Sequence, residues 1–385
     1  MEFYLSVLFI LATAEKMKPT PNLSSSEEEK EETGAELQPC KGVHVNTLRR
    51  KITQRYIGQI LLNIESDFVH LHQSRSKARK FFLVPKTKGS YIIEQKEDGK
   101  ASIWNFDFLY DHLMCANGLF SLWTEYTQPV AICNPSTREV IPLPRLKEPF
   151  PSKCPSLFYA LGYEPEENKY KVLMTVKNTT RSTRSWVFTL GINESWREIK
   201  SITDDFRSYR EGICISGVIY MVDLYGNFIV AFDAKTENFR SIGWPNALNN
   251  GLMYFYPLLE VKGNLAVLKY MNGVDLWILE NTGKEEWKSH IICFPSQWKD
   301  LGLFNSRTRI CGSCDGEIIF VVIKSDMFAC YWFDFRKTSW RYLETKGLPD
   351  EDWIDFKKNN FRNILKPLYS YVETLFSLKN IPHQD

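Results

Sequence analysis

The chain has 385 residues, of which 44% are hydrophobic, 24% charged and 14% aromatic, and its formal net charge is +2. The length allows a large core and suggests two domains. A charge this close to zero argues against a nucleic-acid-binding protein and against a protein that binds anionic membranes through a basic surface. The high aromatic content favours strands with large buried faces.

The N-terminal 42 residues are predicted to be a disordered tail. Residues 24–36 are mainly serine and glutamate and offer almost nothing apolar to bury. An apolar run over residues 3–14 resembles a short signal peptide, but it follows Glu2 instead of a positively charged region and is too short to span a bilayer as a helix. We therefore expect a cytoplasmic or nuclear protein rather than a secreted one.

The next segment, residues 43–80, is predicted to be helical. Between Leu48 and Leu71 the apolar residues recur at spacings of three to five, which broadly describes one face of a helix. Ser66-Asp67 breaks this run and can cap a second helix. Four basic residues between 75 and 80 are expected to form a solvated helix end rather than a phosphate site.

From Phe81 onward the sequence predicts strands separated by turns that are rich in Gly, Asn and Pro. A unit repeats loosely: a glycine and an apolar strand, an aromatic strand ending in Asp, Glu or Asn, and an aromatic residue followed by a basic one. In one copy these parts are Gly217–Tyr220, Ile229–Asp233 and Phe239-Arg240. Similar copies begin at Gly118, Gly263 and Gly316.

The closing aromatic residues predict a mainly β, propeller-like domain. They are Trp196, Phe239, Trp287 and Trp340, with separations of 43, 48 and 53 residues. A period of this size with several strands per unit is typical of propeller blades, and the length fits five to six of them. A pair of β-sandwiches is the alternative.

Individual residues of each unit have predicted roles in this fold. The aromatic residues Phe232, Trp277 and Trp332 are expected to fill contacts between blades, and the opening glycines to form tight turns. The Trp-basic endings are expected on outer strands, where the Lys and Arg stems cover the rings.

A hairpin with strong turn chemistry lies at Cys133–Pro144. Asn134 and Ser136 can bond to their own backbone, and Pro135 presets φ for a turn. Residues on both sides are strand formers, and two prolines end the second strand because they have no N–H to donate. Asn134 and its neighbours are therefore expected to shape a turn rather than to bind a target.

The nine cysteines indicate a reducing compartment. Their number is odd, and several lie in apolar runs such as residues 213–215 and 291–294, where a thiol behaves as a small hydrophobic side chain. Cys311 and Cys314 form a C-x-x-C pair, but a zinc site needs a second pair or two suitably spaced histidines. We therefore predict two ordinary cysteines.

No group of residues predicts catalysis, a metal or a cofactor. His70 and His72 are two residues apart on the predicted helix and so do not share a face. The acidic pairs at 166–167 and 285–286 lie beside turn signals and are expected to be solvated. Phosphate-binding, dinucleotide-binding and serine-nucleophile motifs are absent from the sequence. Residues that bind a target stay unknown at this stage.

The hairpin Cys133–Glu139, with Leu143-Pro144 after it, resembles the hallmark of plant F-box proteins that carry an F-box-associated interaction domain. Further stretches resemble the same family in the same order: Leu161–Pro165 with Asn168–Val172, Ile215–Tyr220, Ile229–Asp233 with Glu237–Phe239, Asp275–Leu279 with Glu286-Trp287, and Tyr371–Leu375. The resemblance covers residues 105–378.

The resemblance implies a substrate receptor of a Skp–cullin–F-box ubiquitin ligase. In such proteins an N-terminal F-box binds the Skp adaptor, the C-terminal domain binds a target protein, and partner enzymes carry out catalysis. The Leu-Pro start and the Cys-Val-Ser-Lys-x-Trp-like segment of the family's F-box are not found here, although residues 67–76 resemble the stretch that follows the box. No F-box residue can therefore be carried over, and binding of Skp and cullin does not follow from the sequence.

These observations give three expected regions: the tail at 1–42, a helical remnant of the F-box region at 43–80, and a propeller-like F-box-associated domain at 81–378. A target protein is the expected partner, with no nucleic acid and no membrane. The alternative function is a secreted β-propeller enzyme or lectin that acts on sugars, which residues 3–14 and the many aromatic residues would suit.

Overall fold

The computed structural model describes most of residues 79–345 and short stretches between residues 369 and 381. The chain divides into two units, Met1–Leu61 and Leu62–Asp385, and every described residue belongs to the second. The predicted tail and helical segment lie outside the described residues, except that Arg79 and Lys80 begin the first strand instead of ending a helix. Arg79 pairs with Tyr371 and Lys80 with Gln95 and Ser370 in neighbouring strands, and this pairing overrides the local helical pattern.

The described residues form six four-stranded antiparallel sheets. The strands of the first three sheets are β1 (Arg79–Lys86), β2 (Gly89–Gln95), β3 (Ala101–Phe106), β4 (His112–Ala116), β5 (Leu119–Thr124), β6 (Thr127–Asn134), β7 (Glu139–Pro142), β8 (Ser156–Glu164), β9 (Lys169–Lys177), β10 (Thr183–Thr189) and β11 (Arg197–Ile199). The predicted hairpin at Cys133–Pro144 is confirmed as β6, a turn and β7.

The remaining strands continue the same pattern. They are β12 (Ile213–Ile215), β13 (Val218–Val222), β14 (Ile229–Asp233), β15 (Phe239–Ile242), β16 (Leu258–Val261), β17 (Asn264–Tyr270), β18 (Val274–Asn281), β19 (Glu286–Ile292), β20 (Thr308–Gly312), β21 (Glu317–Ile323), β22 (Phe328–Asp334), β23 (Ser339–Thr345) and β24 (Tyr369–Tyr371). A short 3-10 helix spans Asn246–Leu248. For β1–β3, β20 and β24 the description covers the backbone only.

The six sheets form a closed ring. Strand β4 contacts β24 and β8, β12 contacts β8 and β16, and β20 contacts β16 and β24. A closed ring of four-stranded sheets is a β-propeller, so the propeller is confirmed and the pair of sandwiches is wrong. We number the blades so that blade 1 holds β1–β3 with β24, and blades 2 to 6 hold four consecutive strands each, from β4 to β23.

A C-terminal strand completes blade 1. Strand β24 pairs antiparallel with the start of β1, with Arg79 opposite Tyr371 and Phe81 opposite Tyr369. The strand ends at Tyr371, where the family-like stretch Tyr371–Leu375 begins. The first and last strands of the propeller thus share one sheet, which joins the two ends of the ring.

Apolar side chains fill the spaces between blades. One cluster joins blades 2, 3 and 4, a second joins blades 4 and 5, and a third joins blades 5 and 6. Phe232 and Trp332 are buried and Trp277 packs against the cluster of blades 4 and 5. The role predicted for Phe232 and Trp277 at blade contacts is therefore confirmed.

The closing tryptophans link neighbouring blades through the indole N–H. Each donates a hydrogen bond to a backbone carbonyl just after the outer strand of the preceding blade: Trp196 to Pro144 at 2.6 Å, Trp287 to Gly243 at 3.1 Å and Trp340 to Cys293 at 3.0 Å. Blade 4 has Phe239 at this position, which has no N–H to donate. The spacing found in the sequence is thus the spacing of a repeated link between blades.

In blade 6 the basic residue after the closing tryptophan covers a different ring from the one predicted. Neighbouring residues of a strand point to opposite faces, so Trp340 and Arg341 lie on opposite faces of β23. Arg341 lies over Trp332 at 4.3 Å and pairs with Glu317 at 2.8 Å.

Candidate interaction surface

One face of the ring carries short turns of blades 2 to 6, and we call it the turn face. In blades 2 to 5 the turn between the first and second strands and the turn between the third and fourth lie on this side, because the strands alternate in direction; of blade 6 the described turn here is the one between the third and fourth strands. The turns of neighbouring blades touch: a Cβ at Gly217 would lie 3.3 Å from Pro165. Gly217 also has a φ of 83°, so glycine suits both its conformation and this close approach.

A side-chain acceptor organises the outer turn of four blades. The last residue of the third strand accepts backbone N–H bonds from the turn that follows, and four residues later the chain takes a positive φ that closes the turn. The acceptors are Asn134, Asp233, Asn281 and Asp334, and the positive-φ residues are Arg138, Glu237, Glu285 and Thr338. The repeated Asp or Asn predicted to end each aromatic strand is therefore confirmed as the origin of the turn.

In blade 2 the same turn also holds the C-terminal segment. The Asn134 side chain is fully buried; its Oδ1 accepts the N–H of Ser136 and its Nδ2 donates to the carbonyl of Phe376, both at 2.9 Å. One carboxylate oxygen of Glu139 accepts the N–H of Leu378 at 3.2 Å. We call this set of contacts the C-terminal clamp.

Apolar contacts reinforce the C-terminal clamp. Leu378 and Ile381 are buried in the cluster of blades 2, 3 and 4, and the Phe376 ring lies 4.9 Å from that of Tyr170. Thr137 donates to the clamp carboxylate of Glu139 at 3.0 Å. The expectation that the hairpin is structural is supported, and its second task, holding the chain's end, was missed because Phe376 is 242 residues away.

Beside the clamp lies a small group of tyrosines and amides. Tyr170 donates to the carbonyl of Asn117 at 2.6 Å, and Tyr163 donates to Oδ1 of Asn168 at 2.8 Å. The two tyrosine rings are 4.9 Å apart. Burial and the charge of Glu164 raise the pKa of Tyr163, so its phenol stays protonated and can donate. This group offers hydrogen bonds but no ionised nucleophile.

Ion pairs connect blades 3 and 4 on the turn face. The carboxylate of Glu237 forms ion pairs with Lys171 and Arg197, with N–O distances of 2.9 Å and 2.5 Å, and the Glu237 side chain is 17% exposed. Lys235 pairs with Glu166 in the turn of blade 3. Burial raises the pKa of Glu237, but the hydrogen bonds from Arg197 and Lys171 outweigh burial and hold this pKa below its ordinary value. The arrangement fixes two blades to each other and leaves Glu237 without a free oxygen for proton transfer.

The other residues considered for catalysis or metal binding in the sequence do not form a common site among the described residues. Of the acidic pairs, residues 166–167 are exposed and bonded to lysines, and Glu285 accepts the N–H of Gly243. Among the described residues no three His, Cys, Asp or Glu side chains could share a metal ion. His70, His72 and Cys314 lie outside the described residues. In the part of the chain that is described, no helix is long and apolar enough to cross a membrane.

The cysteines are mostly buried, as expected. Cys115, Cys133 and Cys330 are buried free thiols, and burial raises the pKa of Cys133 to about 12 and that of Cys214 to about 11. Cys293 is exposed instead, because it follows the end of outer strand β19. The described thiols of the core therefore act as packing groups and not as nucleophiles.

Comparison with known proteins decides the family. Residues 68–367 match the model of a family described as "F-box associated beta propeller domain". The chain belongs to this family. The F-box-associated propeller therefore accounts for the ring of blades, and the family resemblance seen in the hairpin at Cys133–Glu139 is confirmed.

Relatives of this F-box-associated propeller are F-box proteins of Arabidopsis thaliana. One F-box protein is 29% identical over 61% of this chain and 61% of its own length, and a second is 30% identical over 48% and 45%. An F-box/LRR-repeat protein is 27% identical over 58% of each chain. The chain thus spans less than two thirds of the length of these relatives.

Proposed function

We propose that the protein is a substrate receptor that recognises a target protein through its propeller. The observation that carries this proposal is the family match over residues 68–367, together with relatives named as F-box proteins. Propellers use surface turns held by a rigid ring to bind partners. The C-terminal clamp and the ion pairs of Glu237 supply such rigidity on the turn face.

Under this proposal the protein is a non-catalytic adaptor in the cytoplasm or nucleus. Its contribution to the reaction is position: it holds a target lysine near the ubiquitin-transferring enzyme and raises the effective concentration of the two reactants. The described turn face fits this role because its carboxylates are engaged in ion pairs and turns. Cofactors have no part in this mechanism.

Coupling to the ligase is a separate part of the proposal. Skp adaptor and cullin are the proposed partners because the family's relatives are named as F-box proteins. The F-box pattern is not recognisable in residues 43–66, so this part of the proposal rests on the family and not on an F-box motif in these residues. Without coupling, the protein would bind targets and compete for them with intact relatives.

The coupling is tested by co-expressing the tagged full chain with a plant Skp adaptor and measuring co-purification. An Arabidopsis F-box relative serves as the positive control. Stoichiometric recovery of Skp would support coupling, whereas recovery with the relative alone would overturn it.

Target binding is tested by proximity labelling with the full chain in plant cells, followed by direct binding of each candidate to the purified protein. We expect at least one labelled protein to bind with a micromolar or lower Kd and to change in abundance when this chain is depleted. Absence of any such direct partner would refute the receptor function.

A further inference from the structure

Basic side chains lie near Phe335 on the turn face, where blade 5 meets blade 6. The Nζ atom of Lys262 lies 4.7 Å from the centroid of the Phe335 ring. The His290 ring packs edge-on against the same ring at 5.1 Å. Arg336 and Lys337 follow Phe335 in the exposed turn after β22. We call these five residues the basic cluster.

Two charges of the basic cluster have no carboxylate partner among the described residues. Lys337 pairs with Asp334 at 3.4 Å, whereas Lys262 and Arg336 form no ion pair there. Burial and two neighbouring lysine charges lower the pKa of His290. A positive potential that disfavours a further proton attracts an anion instead.

An unpaired strand edge lies beside the basic cluster. The inner edge of β19 pairs with β18, and within the described blades no strand pairs with its outer edge. Lys288 and His290 lie on one face of β19 and Ile291 on the other, because side chains alternate along a strand. Ile291 is 77% exposed. Such an edge can accept an added strand through its backbone groups.

We infer that the basic cluster and the outer edge of β19 bind an extended acidic segment of a partner protein, in which carboxylates alternate with aliphatic side chains. Paired with β19, the segment would direct its carboxylates toward Lys262 and Arg336 on one face, since Lys288 is already paired with Glu280. Its aliphatic side chains would meet Ile291 on the other. The inference rests on the proposed function, since it assigns the chemistry of the target.

Carboxylates fit the local charge better than the phosphates of a nucleic acid. Glu280 lies 3.2 Å from Lys288, and Asp334 pairs with Lys337, so acidic groups stand among the basic ones. A nucleic acid with closely spaced phosphates would meet these carboxylates. A strand that presents a carboxylate at every second residue can place its charges at Lys262 and Arg336 alone.

The direct test measures fluorescence anisotropy of short labelled peptides with the purified full chain. The first probe alternates Glu and Val, the second has the same composition with its residues in two blocks, and the third alternates Lys and Val. A single-stranded oligonucleotide is the fourth. We expect the alternating Glu-Val peptide to bind most tightly, with an affinity that falls as salt is raised.

A charge-reversed variant assigns the binding to this surface. The double substitution Lys262→Glu with Arg336→Glu should weaken the alternating Glu-Val peptide roughly tenfold or more, since rim charges of opposite sign are replaced by like charges. The control, Lys147→Glu with Lys200→Glu, makes the same charge change on exposed residues of blades 2 and 3. It should leave the affinity unchanged.

Each other outcome contradicts a stated part of the inference. Equal binding of the block peptide overturns the pairing with β19, and tighter binding of the oligonucleotide overturns the preference for carboxylates. Equal weakening by both double variants overturns the location. If a cellular target binds the charge-reversed variant and the wild type with equal affinity, the inference is refuted but the receptor function is not. If the Glu-Val peptide binds as expected but no cellular target is found, the receptor function is refuted and the peptide-binding surface is not.

Discussion

The C-terminal clamp makes the substitution Asn134→Asp informative. The aspartate keeps the shape of the side chain and can still accept the N–H of Ser136. It cannot donate to the carbonyl of Phe376, which the Asn134 amide reaches at 2.9 Å. The substitution therefore removes the hydrogen bond to the C-terminal segment and keeps the hydrogen bond that forms the turn. Asn281→Asp is the matched control, because Asn281 accepts the N–H groups of Gly283 and Lys284 in the equivalent turn of blade 5.

The expected loss follows from the burial of the site. Asn134 is fully buried, so its substitution removes a hydrogen bond worth about 1 kcal/mol and leaves a carbonyl facing a carboxylate, which adds roughly 1–3 kcal/mol. The free energy of unfolding should fall by about 2–4 kcal/mol, and Tm by several degrees on the usual scale of ~2–4 °C per kcal/mol. Asn281→Asp should change Tm by less than about 2 °C, since its turn bonds are exposed.

Thermal unfolding of the full chain, followed by circular dichroism and intrinsic fluorescence, measures both variants. Amide exchange at Leu378 and Ile381 provides a local readout, because both residues follow the contact and are buried. The reasoning is refuted if Asn134→Asp and Asn281→Asp lower Tm equally, or if exchange at Leu378 does not accelerate. Lowering the pH should reduce the deficit of Asn134→Asp relative to wild type, since a protonated carboxyl can donate to the carbonyl of Phe376 again.

Three further predictions concern contacts between blades and within blade 5. Trp340→Phe should lower the free energy of unfolding by about 1 kcal/mol, since it keeps an aromatic ring and loses the hydrogen bond to the carbonyl of Cys293. Chemical denaturation measures this change, and an unchanged free energy would show that this hydrogen bond does not stabilise the contact between blades 5 and 6. Lys262→Ala should raise the pKa of His290, because that lysine is among the charges that lower it; NMR titration of the imidazole checks the sign. Glu237→Gln should lower the stability of the protein at neutral pH. The loss relative to wild type should become smaller as the pH falls below 4.5, the ordinary pKa of a glutamate, because a carboxylate with a lowered pKa stabilises the fold only while it is ionised. Measurements of Tm for both proteins across this pH range test the prediction.

The repeated parts of the fold could be predicted because their chemistry is local. A turn acceptor such as Asp233 lies within three residues of the N–H groups it binds. The same holds for the two-residue turn at Ser216-Gly217, which needs two positive φ values. The spacing of the closing aromatics then indicated the length of one blade, and the chain length allowed five to six blades, of which the structure has six.

The surfaces between blades could not be predicted, because they join residues that are distant in the chain. Lys171 and Glu237 are 66 residues apart, and only the ring geometry brings them to 2.9 Å. Lys262 and Phe335 meet in the same way at the contact of blades 5 and 6. Because composition gives only a net charge of +2, it does not show that positive charge gathers around one ring.

The C-terminal clamp adds contacts to a ring whose closing strand is short. Strand β24 pairs with β1 over three residue pairs, against seven pairs between β1 and β2. Burying Leu378 and Ile381 in the apolar cluster of blades 2, 3 and 4 supplies roughly 3–6 kcal/mol, at least as much as three strand bonds at about 1 kcal/mol each. The C-terminal clamp therefore stabilises the seam of the propeller from blade 2. The donor that blade 2 needs here is the Asn134 amide, which both accepts and donates, whereas Asp233, Asn281 and Asp334 accept from the N–H groups of their turns.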